Sequence, residues 1–114
     1  MKIEKFSFGS ITIDGQKYGT DVLLLPPGAV SKWWRNEGHT LRITDLDEVL
    51  AYGPDVLVVG TGVSSMMRVP PGTVRELNSA GIRVEISATQ EACACFNRLL
   101  KRGERAAGAF HLTC

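Results

Sequence analysis

An excess of charge of one sign is missing from this sequence: 13 lysines and arginines face 12 aspartates and glutamates, for a formal net charge of +1. Proteins that grip nucleic acid electrostatically show a basic face and a high pI, so that class is set aside. Long hydrophobic runs are missing as well. None is longer than a short strand or a helical turn or two, Val56 to Val59 being typical, against the ~18–20 apolar residues a membrane span needs. Cysteine is scarce and odd in number, 3 in all with two of them at Cys93 and Cys95, which excludes a disulfide framework and points to reduced thiols. The opening Met-Lys-Ile-Glu-Lys has neither the basic-then-apolar layout of a signal peptide nor the Arg-rich, acid-poor character of a transit peptide. The expected compartment is the cytoplasm.

What is present suffices for a core. The 114 residues are 44% hydrophobic and 22% charged, which fits one soluble domain spanning 1–114. Phe6, Phe8, Ile11 and Ile13 alternate on either side of Gly9, and Asp14-Gly15 reads as a hairpin turn. Tyr18 and Val22 to Leu25 continue the return arm until Pro26-Pro27-Gly28 stops it. Ala29 to Trp34 reads as a further extended segment. Leu46, Val49 and Leu50 then fall on one helical face behind Thr44, with Asp47 three residues later as a capping box and Gly53-Pro54 as the stop.

Asp55 to Val59 is a run dominated by β-branched valine, the mark of a strand covered on both faces. Pro70-Pro71 opens a second helix with Val74 and Leu77 inward, ended by Gly81. Ile82, Val84 and Ile86 alternate as a strand. Thr89 is placed as the cap of a third helix carrying Ala92, Cys93, Phe96, Leu99 and Leu100 inward, closed by Gly103. Arg105 to Phe110 reads as the last strand. Strands alternating with helices after residue 55 imply parallel strands at the centre of an α/β fold, which the N-terminal hairpin extends or caps.

Three segments carry chemistry. Gly60-Thr61-Gly62 puts a GxG turn at the carboxyl end of the buried parallel strand, where ligands of open α/β sheets bind. Ser65 replaces the third glycine of a dinucleotide fingerprint and no helix follows directly, so a tight structural turn competes with an anion cradle. In Trp33-Trp34-Arg35-Asn36-Glu37-Gly38-His39 the adjacent tryptophans must point to opposite faces, leaving one for solvent or a groove. Arg35, Glu37 and His39 alternate by two and share a face if the segment is extended. A rim ion pair beneath a core-covering indole competes there with a partner surface, since Trp and Arg dominate binding hot spots.

The third segment is His111-Leu112-Thr113-Cys114, at the exit of the last strand. A His–Cys pair can activate a thiolate, but neighbouring side chains on a strand alternate, and the chain end is prone to fraying. The tail therefore reads as a structural or ligand-contacting element. Cys93-Ala94-Cys95 on a helix points its thiols in different directions. With only two histidines and no CxxC, no metal site is expected and buried inert thiols are. No Walker motif and no Ser-His-Asp spacing appears, so no catalytic residue, cofactor or metal is assigned.

Taken together, Phe8-Gly9, Trp34-Arg35 followed by Gly38-His39, Asp45-Leu46, Val58-Val59-Gly60-Thr61-Gly62 and Phe110-His111-Leu112-Thr113-Cys114 resemble the Mth-domain family along essentially the whole chain. The resemblance implies a layered α/β fold: a mixed central sheet flanked by helices, with an extra β-layer from the N-terminal half. It implies no established catalytic activity. The family has an assembly-factor branch, serving mitochondrial respiratory complex I, that works by protein association. The expectation is therefore a non-enzymatic interaction module with an unidentified protein partner, its oligomeric state open to a homodimer. The alternative is a small-molecule or anion site at the carboxyl edge of the parallel strands. The candidate residues are Trp34, Arg35, Glu37, His39, Gly60, Thr61, Gly62, His111, Thr113 and Cys114.

Overall fold

The strand apolar on both faces stands at the centre. In the computed structural model, which describes residues 1–35 and 38–114, β6 (Val56–Thr61) is buried at every position. It lies parallel to both neighbours, β7 (Arg83–Ser87) and β8 (Ala106–His111). β4 (Val22–Leu25) pairs antiparallel with β8, and β5 (Ala29–Lys32) antiparallel with β4, giving a mixed sheet of order β5-β4-β8-β6-β7. A second, three-stranded antiparallel sheet holds β1 (Ile3–Ser7), β2 (Ser10–Ile13) and β3 (Gln16–Tyr18). Asp14 and Gly15 turn its second hairpin with φ of 49° and 81°, the left-handed pair that matches the twist of two joined strands.

The period-2 alternation of the central strands sorts their side chains into two cores. Val22, Leu24, Val56, Val58 and Phe110 face the three-stranded sheet and α3 (Thr89–Lys101), meeting Ile3, Ile11, Ile13, Ala92, Phe96 and Leu99. Leu23, Leu57, Val59, Ala107 and Ala109 face the opposite layer. That layer is built from α1 (Asp47–Tyr52), α2 (Pro71–Ser79) and the segments before them, with Trp33, Leu41, Leu46, Val49, Met67 and Leu77 buried there. Burying one such side chain contributes about 1.5–3 kcal/mol, so the two-sided central strands dominate the apolar stabilisation.

Several local expectations are corrected. Tyr18 does not lead on into Val22 to Leu25: the chain leaves the small sheet after β3 and enters the large one at β4, so the first 25 residues serve two sheets. Thr44 caps nothing. It is exposed inside a 3-10 turn, Ile43–Leu46, whose reciprocal cap joins Arg42 and Asp45. On α2 the buried partner of Leu77 is Thr73, and Val74 is only half-buried. On α3 the N-cap is Ala88, and Thr89 uses its hydroxyl elsewhere. Of the alternating Ile82, Val84 and Ile86, only Ile82 is buried, because β7 is an edge strand with one neighbour.

Candidate functional site

The candidates with described positions, Trp34 apart, gather at the carboxyl end of β6 and β8, where β4 begins. At its centre is Asp21, the residue just before β4. Its Oδ2 accepts a hydrogen bond from Arg35 Nη1 at 2.7 Å and lies 2.8 Å from His111 Nδ1, while Oδ1 accepts from the Leu112 N–H at 2.8 Å. Arg35 Nη2 donates to the Gly38 carbonyl at 2.8 Å. It also lies 3.0 Å from His111 Nδ1. An ionised carboxylate only accepts, so the Asp21 contact places the ring proton on Nδ1. The guanidinium then directs its hydrogens at Asp21 and Gly38.

Arg35 also covers the Trp33 ring at 4.6 Å, and Trp33 Nε1 donates to the Asp45 carbonyl. The Arg35 and His111 side chains are 5% and 7% exposed. Burial alone pushes the Asp21 carboxyl up. The bonds from His111, the Leu112 N–H and Arg35, with Arg35's charge, outweigh it and hold the group below its ordinary range. Arg35 Nε and His111 Nε2 stay buried without a hydrogen-bond partner among the described residues. The His39 ring, itself exposed, meets His111 edge-on with centroids 6.0 Å apart.

Gly60 and Thr61 are the last residues of β6 rather than a turn. Gly62 follows with φ of 105°, a conformation open to glycine at no steric cost. A Cβ there would lie 2.2 Å from the Cys114 carbonyl carbon and 2.9 Å from His111 Cδ2, so the absent side chain is what lets the tail lie down. The cradle is filled by the chain itself. The Val63 N–H donates to the Thr113 carbonyl at 2.7 Å, and the Ser64 and Met66 N–H groups to Cys114 O at 3.3 and 3.0 Å. The Thr89 hydroxyl joins the pieces, accepting from the Gly62 N–H at 2.8 Å and donating to the His111 carbonyl at 2.6 Å. Thr61 Oγ1 donates to the Ser87 carbonyl within the sheet.

Arg35, His39, Gly62, His111, Thr113 and Cys114 are thus brought into one neighbourhood, with Gly60 and Thr61 directly beneath. Glu37 lies outside the described residues. Trp34 stands apart from the hub at 77% exposure. It borders two grooves: one of about 330 Å³ lined with Asp21, Lys32, Trp33 and Arg35, the other of about 230 Å³ lined with Lys32, Asp45, Asp47 and Glu48.

Sequence reasoning missed Asp21 and Thr89, the two side chains that join the rest. The available signal for Asp21 was an acid directly before a four-residue apolar strand, hence at a sheet's end. None of the three cysteines is bonded: Cys93 is buried, Cys95 half-buried, Cys114 exposed. Burial pushes the Cys93 thiol up to about 12, which keeps it protonated and inert. Among the described residues no helix is long and apolar enough to cross a membrane.

A mixed five-stranded sheet, layered by a second antiparallel sheet and closed at its carboxyl end by its own last residues, defines a single structural class. Over residues 3–111 the chain matches the family described as a protein of unknown function (DUF498/DUF598) and belongs to it. It is 34% identical over 113 residues to "NADH dehydrogenase [ubiquinone] 1 alpha subcomplex assembly factor 3" of Bos taurus, covering 96% of this chain and 59% of the relative. With the Mus musculus protein of the same name it is 36% identical over 112 residues, covering 94% and 57%. The chain thus spans somewhat over half the length of these curated relatives.

Among solved structures, a conserved hypothetical protein from Pyrococcus horikoshii superposes with a TM-score of 0.89 at 28% identity, covering 100% of both chains. A Bordetella pertussis protein described as a Mth938-like domain shares the fold, with a TM-score of 0.73 at 21% identity over 97% of this chain and 85% of that one. The resemblance read from the motifs and the layered fold it implied both hold.

Proposed function

We propose that this protein is a non-enzymatic interaction module, the whole of 1–114 acting as one domain, that docks a protein partner through its carboxyl-edge surface. The observation that carries the reading is Trp34: a large indole left 77% exposed at the divide between two grooves. Exposed aromatics of this kind supply most of the energy where proteins meet. Of the six large apolar side chains exposed among the described residues, Phe8, Trp34, Val63 and Met66 sit at this end. Gly9, Val63 and Met66 are tied to the tail by backbone bonds to Leu112, Thr113 and Cys114.

The assembly-factor name of the curated relatives agrees with association rather than turnover. The alternative, an anion site at the strand ends, is disfavoured because the N–H groups that would cradle the anion already donate to Thr113 and Cys114. Asp47 and Glu48 beside Trp34 suit a partner that offers a basic side chain next to its apolar anchor. The reading takes the partner to be protein rather than nucleic acid and keeps the cytoplasm as compartment, in line with three unpaired thiols.

Quantitative affinity capture with wild type and Trp34→Ala tests it. The specific partner's affinity is expected to fall by about 2 kcal/mol, roughly 30-fold, while stability moves by no more than ~0.5 kcal/mol because the indole is exposed. Retention of every specific partner by Trp34→Ala would sink the reading.

A further inference from the structure

We infer that the opposite end of the molecule carries a second docking groove, built for an acidic peptide segment with an apolar anchor. A groove of about 690 Å³ is lined by Pro26, Pro27 and Leu100 together with Lys2, Arg98 and Lys101, and among the described residues no acid lines it. β4 runs antiparallel to β8 and ends next to Pro26, so the groove sits at the amino end of the parallel strands. It is therefore remote from Trp34, and the inference stands apart from the function proposed above.

The three cations come from two elements. Lys2 leads into β1, while Arg98 and Lys101 lie three apart on the last turns of α3 and are therefore neighbours on one helix face. None makes an ion pair among the described residues, in contrast to the nearby Arg83 and Arg102, which pair with Glu104. The helix dipole accounts for cations in the last turn of α3. It accounts neither for Lys2, on another element, nor for the apolar lining between the charges.

Three unpaired cations distributed around apolar surface are complementary to a segment that alternates carboxylates with aliphatic side chains. Two separate elements supply the charge, which suits several acidic residues along a peptide better than the single head group of a small amphiphile. The groove's volume lies within the range that holds a ligand of several side chains' bulk.

The test is fluorescence anisotropy on the full chain. The probe is a labelled, end-blocked ten-residue peptide of glutamates and leucines, with a lysine–leucine peptide and decanoate as comparison arms. The acidic peptide is expected to bind saturably below about 1 mM and to weaken several-fold between low and high salt, as screened rim charges do. The double variant Arg98→Glu/Lys101→Glu should weaken it at least about tenfold. Arg98→Gln/Lys101→Gln, which spares the helix end the reversed charge, should weaken it a few-fold and covers the case in which the first variant folds poorly. Trp34→Ala should leave the binding unchanged. Absence of binding, equal binding of the lysine peptide, binding of decanoate alone, or indifference to both double variants overturns the inference.

Discussion

The two ends of the five-stranded sheet solve the same problem, what to do with strand termini, in opposite ways. At the carboxyl end residues from distant parts of the chain converge. Asp21 and Thr89 act as hubs, and the tail from His111 to Cys114 completes the backbone bonding of the loop after β6. At the amino end the polar connections are separate pairs, exposed or at most half-buried. The Tyr52 hydroxyl reaches the Pro26 carbonyl, Arg105 caps the carbonyls of Tyr52 and Gly53, and Arg83 and Glu104 pair in solvent.

Buried, mutually dependent polar groups are costly to break singly, because each loss leaves another group unpaired. Exposed pairs are cheap to lose. The difference teaches that buried, interlocked polar bonding is concentrated at the carboxyl end, where Trp33 and Arg35 are held on either side of Trp34, the residue proposed above as the docking anchor.

The largest expected break is Gly62→Ala. Its Cβ would collide with the Cys114 carbonyl and with His111, at a φ that disfavours alanine. Overpacking and backbone strain together should cost about 4 kcal/mol. Amide hydrogen exchange at Val63 and Met66, whose N–H groups the tail accepts, should accelerate in step. An unchanged melting temperature with protected amides would show that the tail is not seated there.

Asp21→Asn comes next, at about 3 kcal/mol near neutral pH, because it leaves Arg35 buried without its counter-charge. The sign of its pH dependence follows from the lowered carboxyl. The unfolded chain holds that proton more tightly than the folded one. The wild-type advantage is therefore complete above the ordinary carboxyl value of about 4 and is lost as pH falls through the lowered native value. Thermal melts between pH 7 and pH 2.5 should show the gap between wild type and variant closing only in acid. A constant gap would mean the carboxylate's charge contributes nothing.

The element types were legible in the sequence because they rest on periodicity. Val56 to Val59 carries the signature of a strand covered on both faces, and Ala92, Cys93, Phe96 and Leu99 stand at helical spacing. The split of the tryptophans followed from the pleat alone, and Trp33 at 4% exposure against Trp34 at 77% shows it. What stayed hidden depends on pairing across long separations. Asp21 meets His111 because β4 lies beside β8, a partnership between residues 90 apart in sequence that no local pattern encodes. A threonine at the start of a helix reads as a cap, yet the Thr89 hydroxyl is claimed by two strand ends. The GxG segment leaves a structural turn and an anion cradle both open in sequence, and only the tail's path shows that the N–H groups after it have an internal partner.

The smallest expected effect lies at the amino end and sharpens the comparison from the other side. Arg105 stacks on the Tyr52 ring at 4.3 Å, with Nη2 donating to the Tyr52 carbonyl at 2.8 Å and Nε to the Gly53 carbonyl at 3.2 Å. These carbonyls close α1, where a cation is favoured by the dipole, but the residue is exposed and water can replace it. Arg105→Ala should therefore cost about 1 kcal/mol, and Arg105→Lys should recover only part of it, since an ammonium lacks the planar fork that meets two carbonyls while stacking. Denaturant melts of the two variants beside Asp21→Asn give the ranking directly. Should Arg105→Ala cost as much as Asp21→Asn, the amino end would be as tightly coupled as the carboxyl end, and the contrast between the two ends would lose its ground.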